Sequence, residues 1–165
     1  MANIFNTLII YDSLHGNTKK IADSISKGFD NIKVISVENI TLEDIKGINL
    51  LIVGSPTHGG TTKPSLLEFL NSIPLNYLKD VYITSFDTRF DEKKLKLLLK
   101  LLVKTIGYAA IKISKILESK GGKLLIQPEG FFVDDTKGPI TKGEEERAVK
   151  WGEEIKSKYL DLGNE

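Results

Sequence analysis

A short polar turn near the start of the chain has the residue types of an anion-binding site. Residues 12–18 read DSLHGNT, which places the hydroxyls of Ser13 and Thr18 and the amide of Asn17 around Gly16. An apolar run precedes the turn and a helix-like pattern follows it, so the free N–H groups and positive dipole end of that helix would face the turn. A phosphate group fits this environment. The same residue types also cap helices that bind nothing, and that interpretation stays open.

Two further polar stretches follow later apolar runs. They read SPTHGGTT at residues 55–62 and SFDTRF at residues 85–90. Both histidines of the chain, His15 and His58, lie in the first two of the three stretches. A metal site using these histidines and Asp12 is disfavoured, because no ligand spacing on a single element supports it. The first turn matches neither G-x-x-x-x-G-K-[ST] nor G-x-G-x-x-G, which disfavours ATP and dinucleotide ligands.

The elements that must position these turns read as alternating strands and helices. Short runs rich in Ile, Leu and Val predict buried strands at residues 4–11, 32–37, 49–55, 80–86 and, as a pair, 123–127 and 131–133. Helical patterns lie at 17–27, 63–73, within 91–119, and at 142–160. The alternation predicts an α/β fold: a doubly wound parallel sheet with helices on both faces, in a single domain of residues 1–165. Such sheets bind ligands at the carboxyl ends of their strands, where the three polar stretches lie.

Side chains near the helix ends carry local predictions. Asn17 is expected to cap the first helix. Thr141 and Glu144 are spaced as a capping box for the last helix. Trp151 is expected to pack that helix onto the sheet, away from any ligand.

Composition excludes several classes of protein. The chain has no cysteine, so thiol catalysis, disulfides and cysteine-held metal centres are excluded, and any redox chemistry requires a bound organic cofactor. Its formal net charge of +1 supplies no bulk attraction to nucleic acid. The first residues do not read as a signal peptide, and no apolar run is long enough for a membrane span. We therefore expect a cytoplasmic protein.

The turn after the first strand resembles the phosphate loop of the flavodoxin family, which reads roughly Ser/Thr-x-Thr-Gly-x-Thr. Ser13, Gly16 and Thr18 match that pattern, while His15 replaces the middle threonine. The resemblance covers nearly the whole chain, including the tail at residues 129–155. It implies a flavodoxin-like five-stranded sheet of order 2-1-3-4-5 and one non-covalently bound flavin mononucleotide (FMN). The placement of FMN between strands one and three is a general property of that fold.

The resemblance also implies how FMN would be held. The hydroxyls of Ser13 and Thr18, with the amides of residues 14–18, would bind its phosphate. In the second stretch, His58 stands where the family has a large aromatic residue, and the glycines after it would let a peptide unit rotate toward the ring. In the third stretch, Phe86 or Phe90 would stack on the ring, and the amides of residues 87–89 would bond its pyrimidine edge. The implied cofactor-binding residues are Ser13, Leu14, His15, Gly16, Asn17, Thr18, Pro56, Thr57, His58, Gly59, Gly60, Ser85, Phe86, Asp87, Thr88 and Arg89.

Arg89 is open to two interpretations. A cation near the ring would stabilise the anionic reduced flavin and raise its potential. Alternatively, Arg89 forms a salt bridge with Asp87 or Asp91.

Three functions agree with these residues. The first is an electron carrier that shuttles electrons between redox partner proteins, a reductase and an acceptor enzyme, with no catalytic residue of its own. The second is an FMN-dependent reductase of NAD(P)H and quinone type, favoured by the missing aromatic residue in the second stretch. The third is an interaction domain that kept the fold and lost the cofactor.

A segment rich in leucine and lysine departs from the flavodoxins with which we compared the chain. In residues 93–104, four lysines form one narrow stripe on a helix, and leucines cover much of the rest. That apolar arc is wider than packing on one side of a sheet requires. The surplus can be buried between the sheet and a loop, can form a homodimer or partner contact, or can lie on an anionic membrane surface. A basic face can also steer an acidic redox partner.

Overall fold

The computed structural model describes residues 6–57, 62–94, 96–98, 100–101 and 107–163. Its strands are β1 (Thr7–Tyr11), β2 (Lys33–Ser36), β3 (Leu50–Pro56), β4 (Tyr82–Phe90), β5 (Lys123–Leu124) and β6 (Glu129–Val133). Its α-helices are α1 (Asn17–Ser26), α2 (Pro64–Ser72), α3 (Ala109–Ser119) and α4 (Glu144–Leu162), and 3₁₀ turns lie at Leu42–Ile45 and Glu92–Lys94. No helix among the described residues has the length and apolar character of a membrane span.

The strands form one parallel sheet of order β2-β1-β3-β4-β5, as the resemblance implied. Two short strands share the fifth position. β5 pairs with Tyr82 and Ile83 at the start of β4, and β6 pairs with Phe86–Phe90 at its end. The predicted pair of strands at 123–127 and 131–133 therefore corresponds to one interrupted strand beside β4.

Successive strand residues point to opposite faces of the sheet, and helices cover both faces. On β1, Leu8 and Ile10 pack with the helices α2 and α3, while Ile9 packs with α1 and α4. Both faces exclude water, so the strands read as continuous apolar runs rather than alternating ones. The predicted doubly wound α/β fold is confirmed.

Trp151 lies in the core between α4 and the sheet, as predicted. Its ring packs edge to face against Phe86 and Phe131, with centroids 6.3 and 5.8 Å away. These three rings anchor the last helix on the side of the sheet that also carries α1. Their contact adds specific aromatic geometry to the burial of apolar area.

Two predicted helix caps are wrong. The residue before α1 is Gly16, at φ 85°, and Asn17 is already the first helical residue. Gly143, at φ 91°, precedes α4 in the same way. The carboxylate of Glu144 instead accepts the backbone N–H of Phe132 at 2.8 Å, so it ties α4 to β6 rather than closing a capping box. Glycine serves at both helix starts because each backbone turns through the left-handed region.

One of the three alternatives for the leucine–lysine segment is excluded for its described residues. Its described side chains are not buried between the sheet and a loop: Leu97 is 74% exposed and Leu98 is 80% exposed. The helix predicted within residues 91–119 includes α3 at its end, and a 3₁₀ turn stands near its beginning. Residues 95, 99 and 102–106 of this segment lie outside the described residues.

Candidate functional site

A cleft opens at the carboxyl ends of β1, β3, β4 and β6. Described residues from all three predicted polar stretches line it. Its walls are formed by Ser13, Leu14, His15, Asn17, Thr18, Pro56, Thr57, Thr88, Arg89, Phe90, Val133 and Thr136. The cleft lies at the carboxyl ends of β1 and β3, neighbouring strands that the chain leaves in opposite directions, from β1 to β2 and from β3 to β4. Ligands of doubly wound sheets bind at such a point.

The turn after β1 is shaped by one serine and one glycine. The Ser13 Oγ accepts the backbone N–H of Gly16 at 3.0 Å and that of Lys19 at 3.4 Å. Gly16, at φ 85°, then directs the chain into α1. The first turn of α1 contains no acidic residue, so no carboxylate opposes an anion at its positive end.

A pair of threonines joins the first turn to β4. The Oγ1 atoms of Thr18 and Thr88 lie 2.9 Å apart, and both residues are almost fully buried. One hydroxyl donates this bond, so the other keeps its hydrogen for a further acceptor. The pair therefore holds the first and third polar stretches together at the floor of the cleft.

A buried salt bridge forms the wall on the α3 side. Arg89 donates to the Asp87 carboxylate through Nε at 2.5 Å and Nη2 at 2.9 Å, and the backbone N–H of Ala110 donates to the same carboxylate at 2.9 Å. The guanidinium carbon of Arg89 lies 3.5 Å from the ring centroid of Tyr108. Asp87 has no exposed surface, and this burial raises the pKa of its carboxyl, while Arg89, Ala110 and Thr57 oppose the rise.

The structure shows the salt bridge that was one of the two interpretations of Arg89. The predicted pairing with Asp87 is confirmed, because the guanidinium is bound through two of its nitrogens. Its positive charge is largely balanced by that carboxylate. Arg89 nevertheless lines the cleft, so the structure presents a held guanidinium rather than a free one.

A second buried carboxylate connects the first turn to α2. The Asp12 side chain accepts from the Lys63 ammonium at 2.7 Å and from the Ser65 hydroxyl at 2.5 Å. Asp12 is 2% exposed, and its backbone N–H bonds the carbonyl of Gly54 on β3. With this carboxylate engaged, Asp12 ties the chain before α2 to the end of β1. Among the described residues, no group of three histidine, aspartate or glutamate residues can hold a metal ion.

Several predicted contacts of the third stretch are wrong, because β4 extends four residues further than its apolar run. Phe86 is fully buried against Phe131 and Trp151, so its side chain cannot stack on a ligand in the cleft. The Ser85 hydroxyl donates to the carbonyl of Ala110 instead of facing the cleft. The backbone of residues 87 and 88 lies in the ladders to β3 and β6, and that of Arg89 in the ladder to β6, so these residues form a strand rather than a loop around a ring edge.

The other predicted residues fall into three groups. Nine of the sixteen line the cleft: Ser13, Leu14, His15, Asn17, Thr18, Pro56, Thr57, Thr88 and Arg89. Gly16 shapes the turn without forming part of the wall. His58, Gly59 and Gly60 lie outside the described residues, so their roles stay predictions.

The sequence analysis did not predict the wall that is formed by the end of β6 and the residues after it. Val133 and Thr136 line the cleft there, and Gly138 lies so near Asn17 that an added Cβ would be 2.7 Å from the Asn17 Oδ1. The signal was available, since residues 131–133 were predicted as a strand and the polar residues after it stand at the same edge of the sheet. Phe90, proposed as an alternative stacking residue, does line the cleft and is 38% exposed.

Comparison with known families agrees with this arrangement of strands and cleft. The family model for the flavodoxin domain matches residues 8–118, which include β1, β3, β4 and the turns that follow them. This chain belongs to the flavodoxin family. Proteins of this family bind flavin, usually FMN, and transfer electrons to redox partners.

Individual flavodoxins resemble the chain in part of the sequence and in most of the fold. A flavodoxin from Aquifex aeolicus is 32% identical over 71 residues, a match that spans 40% of this chain and only 38% of that protein. A flavodoxin structure from the domain Archaea has a TM-score of 0.68 at 19% identity, covering 93% of this chain and 98% of the other. Oxidised Flavodoxin 2 from Bacillus cereus has a TM-score of 0.71 at 20% identity, covering 93% and 99%. The two structures demonstrate the shared fold.

The cleft of this flavodoxin-family chain fits a flat cofactor that carries a phosphate. The amino end of α1 and the Ser13 hydroxyl present donors with no acid in the first helical turn. Leu14 and Phe90 expose apolar surface in the same cleft. The donor set and the apolar walls match the two halves of FMN, its phosphate and its ring.

Proposed function

We propose that this chain is an FMN-binding electron carrier that exchanges electrons with partner proteins. The main support is that two features meet in one cleft. The amino end of α1 has no acidic residue in its first helical turn, and the apolar side chains of Leu14, after β1, and Phe90, on β4, lie beside it. An anion-binding helix end beside an apolar wall is the pairing of sites that FMN requires.

Residues of the first turn would hold the phosphate. The backbone N–H groups of Asn17 and Thr18, at the start of α1, have no partner within the helix and would donate to the phosphate, while that of Lys19 bonds the Ser13 hydroxyl. Ser13 accepts two N–H groups, which leaves its hydroxyl hydrogen for a phosphate oxygen. The Thr18–Thr88 pair supplies one further donor, and Thr57 and Thr136 line the same cleft.

Apolar residues would flank the ring, and the exposed Leu14 and Phe90 are the described candidates. Bound FMN would supply the electron-accepting and electron-donating chemistry. Arg89 is held at the cleft wall by Asp87 and Tyr108, and its charge is balanced by the Asp87 carboxylate. It would therefore raise the reduction potential of bound FMN less than a free cation would.

The titratable residues of the cleft favour a carrier over an enzyme. Among the described lining residues, only His15 and Arg89 have ionisable side chains, and His15 is exposed while Arg89 is paired. General acid–base catalysis needs a group positioned within hydrogen-bond reach of the substrate. An electron carrier needs no such group, which agrees with a cleft lined mainly by hydroxyl and apolar side chains.

A visible spectrum and a binding titration test this proposal. We expect the purified protein to be yellow and the apoprotein to take up one FMN. Riboflavin, which lacks the phosphate, should bind about 100-fold more weakly, since two charge-assisted hydrogen bonds at about 1.5 kcal/mol each would be lost. Flavin fluorescence quenching measures both dissociation constants.

Two variants locate the site. Ser13→Ala with Thr18→Val should weaken FMN binding at least about tenfold, because two hydroxyl contacts are lost. Ser72→Ala removes a hydroxyl that bonds the Phe69 carbonyl in α2, and should leave FMN affinity unchanged. A colourless protein that takes up no flavin, or equal affinity for riboflavin and FMN, would refute the proposal. The first result would leave the interaction-domain alternative.

An FMN-dependent reductase is the second candidate. The exposed Leu14 and Phe90 give the cleft an apolar lining that could receive a small organic acceptor such as a quinone. Steady-state oxidation of NAD(P)H with a quinone distinguishes the two functions. A carrier alone should show almost no turnover, whereas a reductase should turn over many times per bound FMN.

A further inference from the structure

The segment after β4 exposes leucines and lysines together. We define the basic leucine surface as Lys93, Lys96, Leu97, Leu98 and Lys100. Among the described residues, eight large apolar side chains are exposed, and three of them, Leu97, Leu98 and Leu101, fall within five residues of each other. Single exposed leucines are common on proteins, but such a group marks an interaction surface.

The charge of this surface has one sign. Residues 93–117 contain seven lysines and no acidic residue. Lys93 and Lys96 are exposed, and Lys100, whose backbone N–H bonds the Lys96 carbonyl at 3.0 Å, is half-buried. Three acids are near: Asp134 lies 3.7 Å from the Lys94 ammonium, Asp91 accepts the backbone N–H of Lys93, and Glu92 directly precedes Lys93 in the chain. The other lysines give the surface a net positive charge.

The surface lies close along the chain to two residues at the cleft. It begins three residues after Phe90, which lines the cleft. Tyr108, eight residues after Lys100, has its ring against the Arg89 guanidinium in the cleft wall. Whatever docks on this surface is therefore held beside the cleft opening, where Leu14 and Phe90 are also exposed.

The residue types distinguish among the possible occupants. Binding hot spots between proteins are enriched in tryptophan, tyrosine and arginine and poor in leucine, and residues 93–107 contain none of the three enriched types. A second copy of the chain would bring lysines against lysines. Lysines flanking leucines match a lipid surface with anionic head groups, where the ammonium groups meet the head groups and the leucines enter the acyl boundary.

We propose that the basic leucine surface docks this protein on an anionic lipid bilayer, with the cleft held at the membrane surface. The docking requires no FMN, and its consequence, electron exchange with a lipid-borne or membrane-attached partner, rests on the proposed function. A lysine beside an anionic bilayer strengthens binding about fivefold, so three lysines contribute about 100-fold. The leucines add an apolar contribution that salt does not screen.

Vesicle sedimentation with the 165-residue chain tests the proposal. The probes are vesicles of phosphatidylcholine with about 30% phosphatidylglycerol, compared with pure phosphatidylcholine, at low and moderate salt. We expect binding to the anionic vesicles only, weakened by salt. Lys93→Gln, Lys96→Gln and Lys100→Gln together should reduce the partition coefficient about 100-fold. Leu97→Ser with Leu98→Ser should reduce it at least tenfold.

A matched triple variant controls for total charge. Lys27, Lys46 and Lys79 are exposed at the end of the sheet opposite the cleft, and their change to glutamine removes the same charge. This control should bind vesicles as the wild type does, and circular dichroism checks that every variant is folded.

Three outcomes would overturn the docking proposal. The first is that the wild type stays in the supernatant with anionic vesicles at low salt. The second is that the control triple variant loses as much binding as the test variant does. The third is that the wild type elutes as a dimer and that Leu97→Ser with Leu98→Ser makes it monomeric, which would identify a second copy as the occupant. FMN uptake, measured separately from the visible spectrum, should be normal in all variants, so failure of docking and failure of FMN binding give different results.

Discussion

Replacing Arg89 by methionine should destabilise the protein in a way that depends strongly on pH. The substitution keeps much of the volume of the side chain but removes the cation that Asp87 needs. Asp87 has no exposed surface, and its other partners are the backbone N–H of Ala110 and the side chain of Thr57. In the variant the carboxylate must either stay buried without a counter-ion or take up a proton. Removing one partner of a buried pair costs about 3–5 kcal/mol.

Protonation of Asp87 limits the free-energy cost of leaving its carboxylate without a counter-ion. The carboxyl has an ordinary pKa of 3.8, so protonating it at pH 7 costs about 4.4 kcal/mol, at 1.36 kcal/mol per unit. At pH 5 the same step costs only about 1.6 kcal/mol. Burial raises the pKa of Asp87, and loss of Arg89 raises it further, so the folded state binds the proton more tightly than the unfolded state. Stability of the variant therefore rises as pH falls toward 3.8.

Urea unfolding of the apoprotein at pH 5, 6 and 7 measures this effect. We expect Arg89→Met to lose about 3–4 kcal/mol relative to wild type at pH 7 and about 1–2 kcal/mol at pH 5. Adding Asp87→Asn should recover stability at pH 7 and remove the pH dependence. Lys46→Met, which breaks an exposed pair with Glu43, should cost less than about 0.5 kcal/mol at either pH. An equal deficit at pH 5 and pH 7, or no recovery in the double variant, would refute the assignment of a buried, paired carboxylate.

Three further predictions address packing and the cleft. Gly152→Ala should cost about 1–3 kcal/mol in urea unfolding with an unchanged m value, because the new methyl group would overlap the carbonyl of Ile25 where α1 and α4 cross. Trp151→Phe should lower stability by about 1–3 kcal/mol, because the ring lies in the core. It should leave the FMN dissociation constant within about twofold, and a larger change in that constant would place Trp151 at the cofactor. Asp12→Asn weakens the bond to Lys63, so it should lower the free energy of unfolding by about 1–3 kcal/mol and reduce FMN affinity several-fold. Unchanged FMN binding would show that this link does not position the cleft.

The layers of the fold were predictable because they depend on local composition. A strand covered on both faces must be apolar at nearly every position, and runs such as residues 49–55 have that property without reference to the rest of the chain. Parallel strands place their carboxyl ends at one edge, so the polar stretches at the ends of β1, β3 and β4 had to meet there. The sequence therefore predicts most of the cleft.

Details at the ends of elements were not predictable, because polar residues there can belong to a loop or to a strand. The residues DTRF read as a loop after residue 86, yet they continue β4, since β3 and β6 flank it and supply ladder partners. The extension sets which way each side chain points. Asp87 and Arg89 face α3, whereas Phe86 lies in the core on the opposite face of the sheet. A count of residues along the sequence cannot reveal where a neighbouring strand stops.

The sequence alone determined the class of fold and the edge of the sheet that forms the cleft, and it predicts an anion site at the turn after β1. These follow from short-range patterns of apolar and polar residues, which act whatever the distant parts of the chain do. Tertiary structure alone decided that Arg89 is balanced by Asp87, that Val133 and Thr136 complete the wall, and that Leu97 and Leu98 remain exposed. Each of these depends on which segments come together in space, and that is set by packing between elements far apart in the chain.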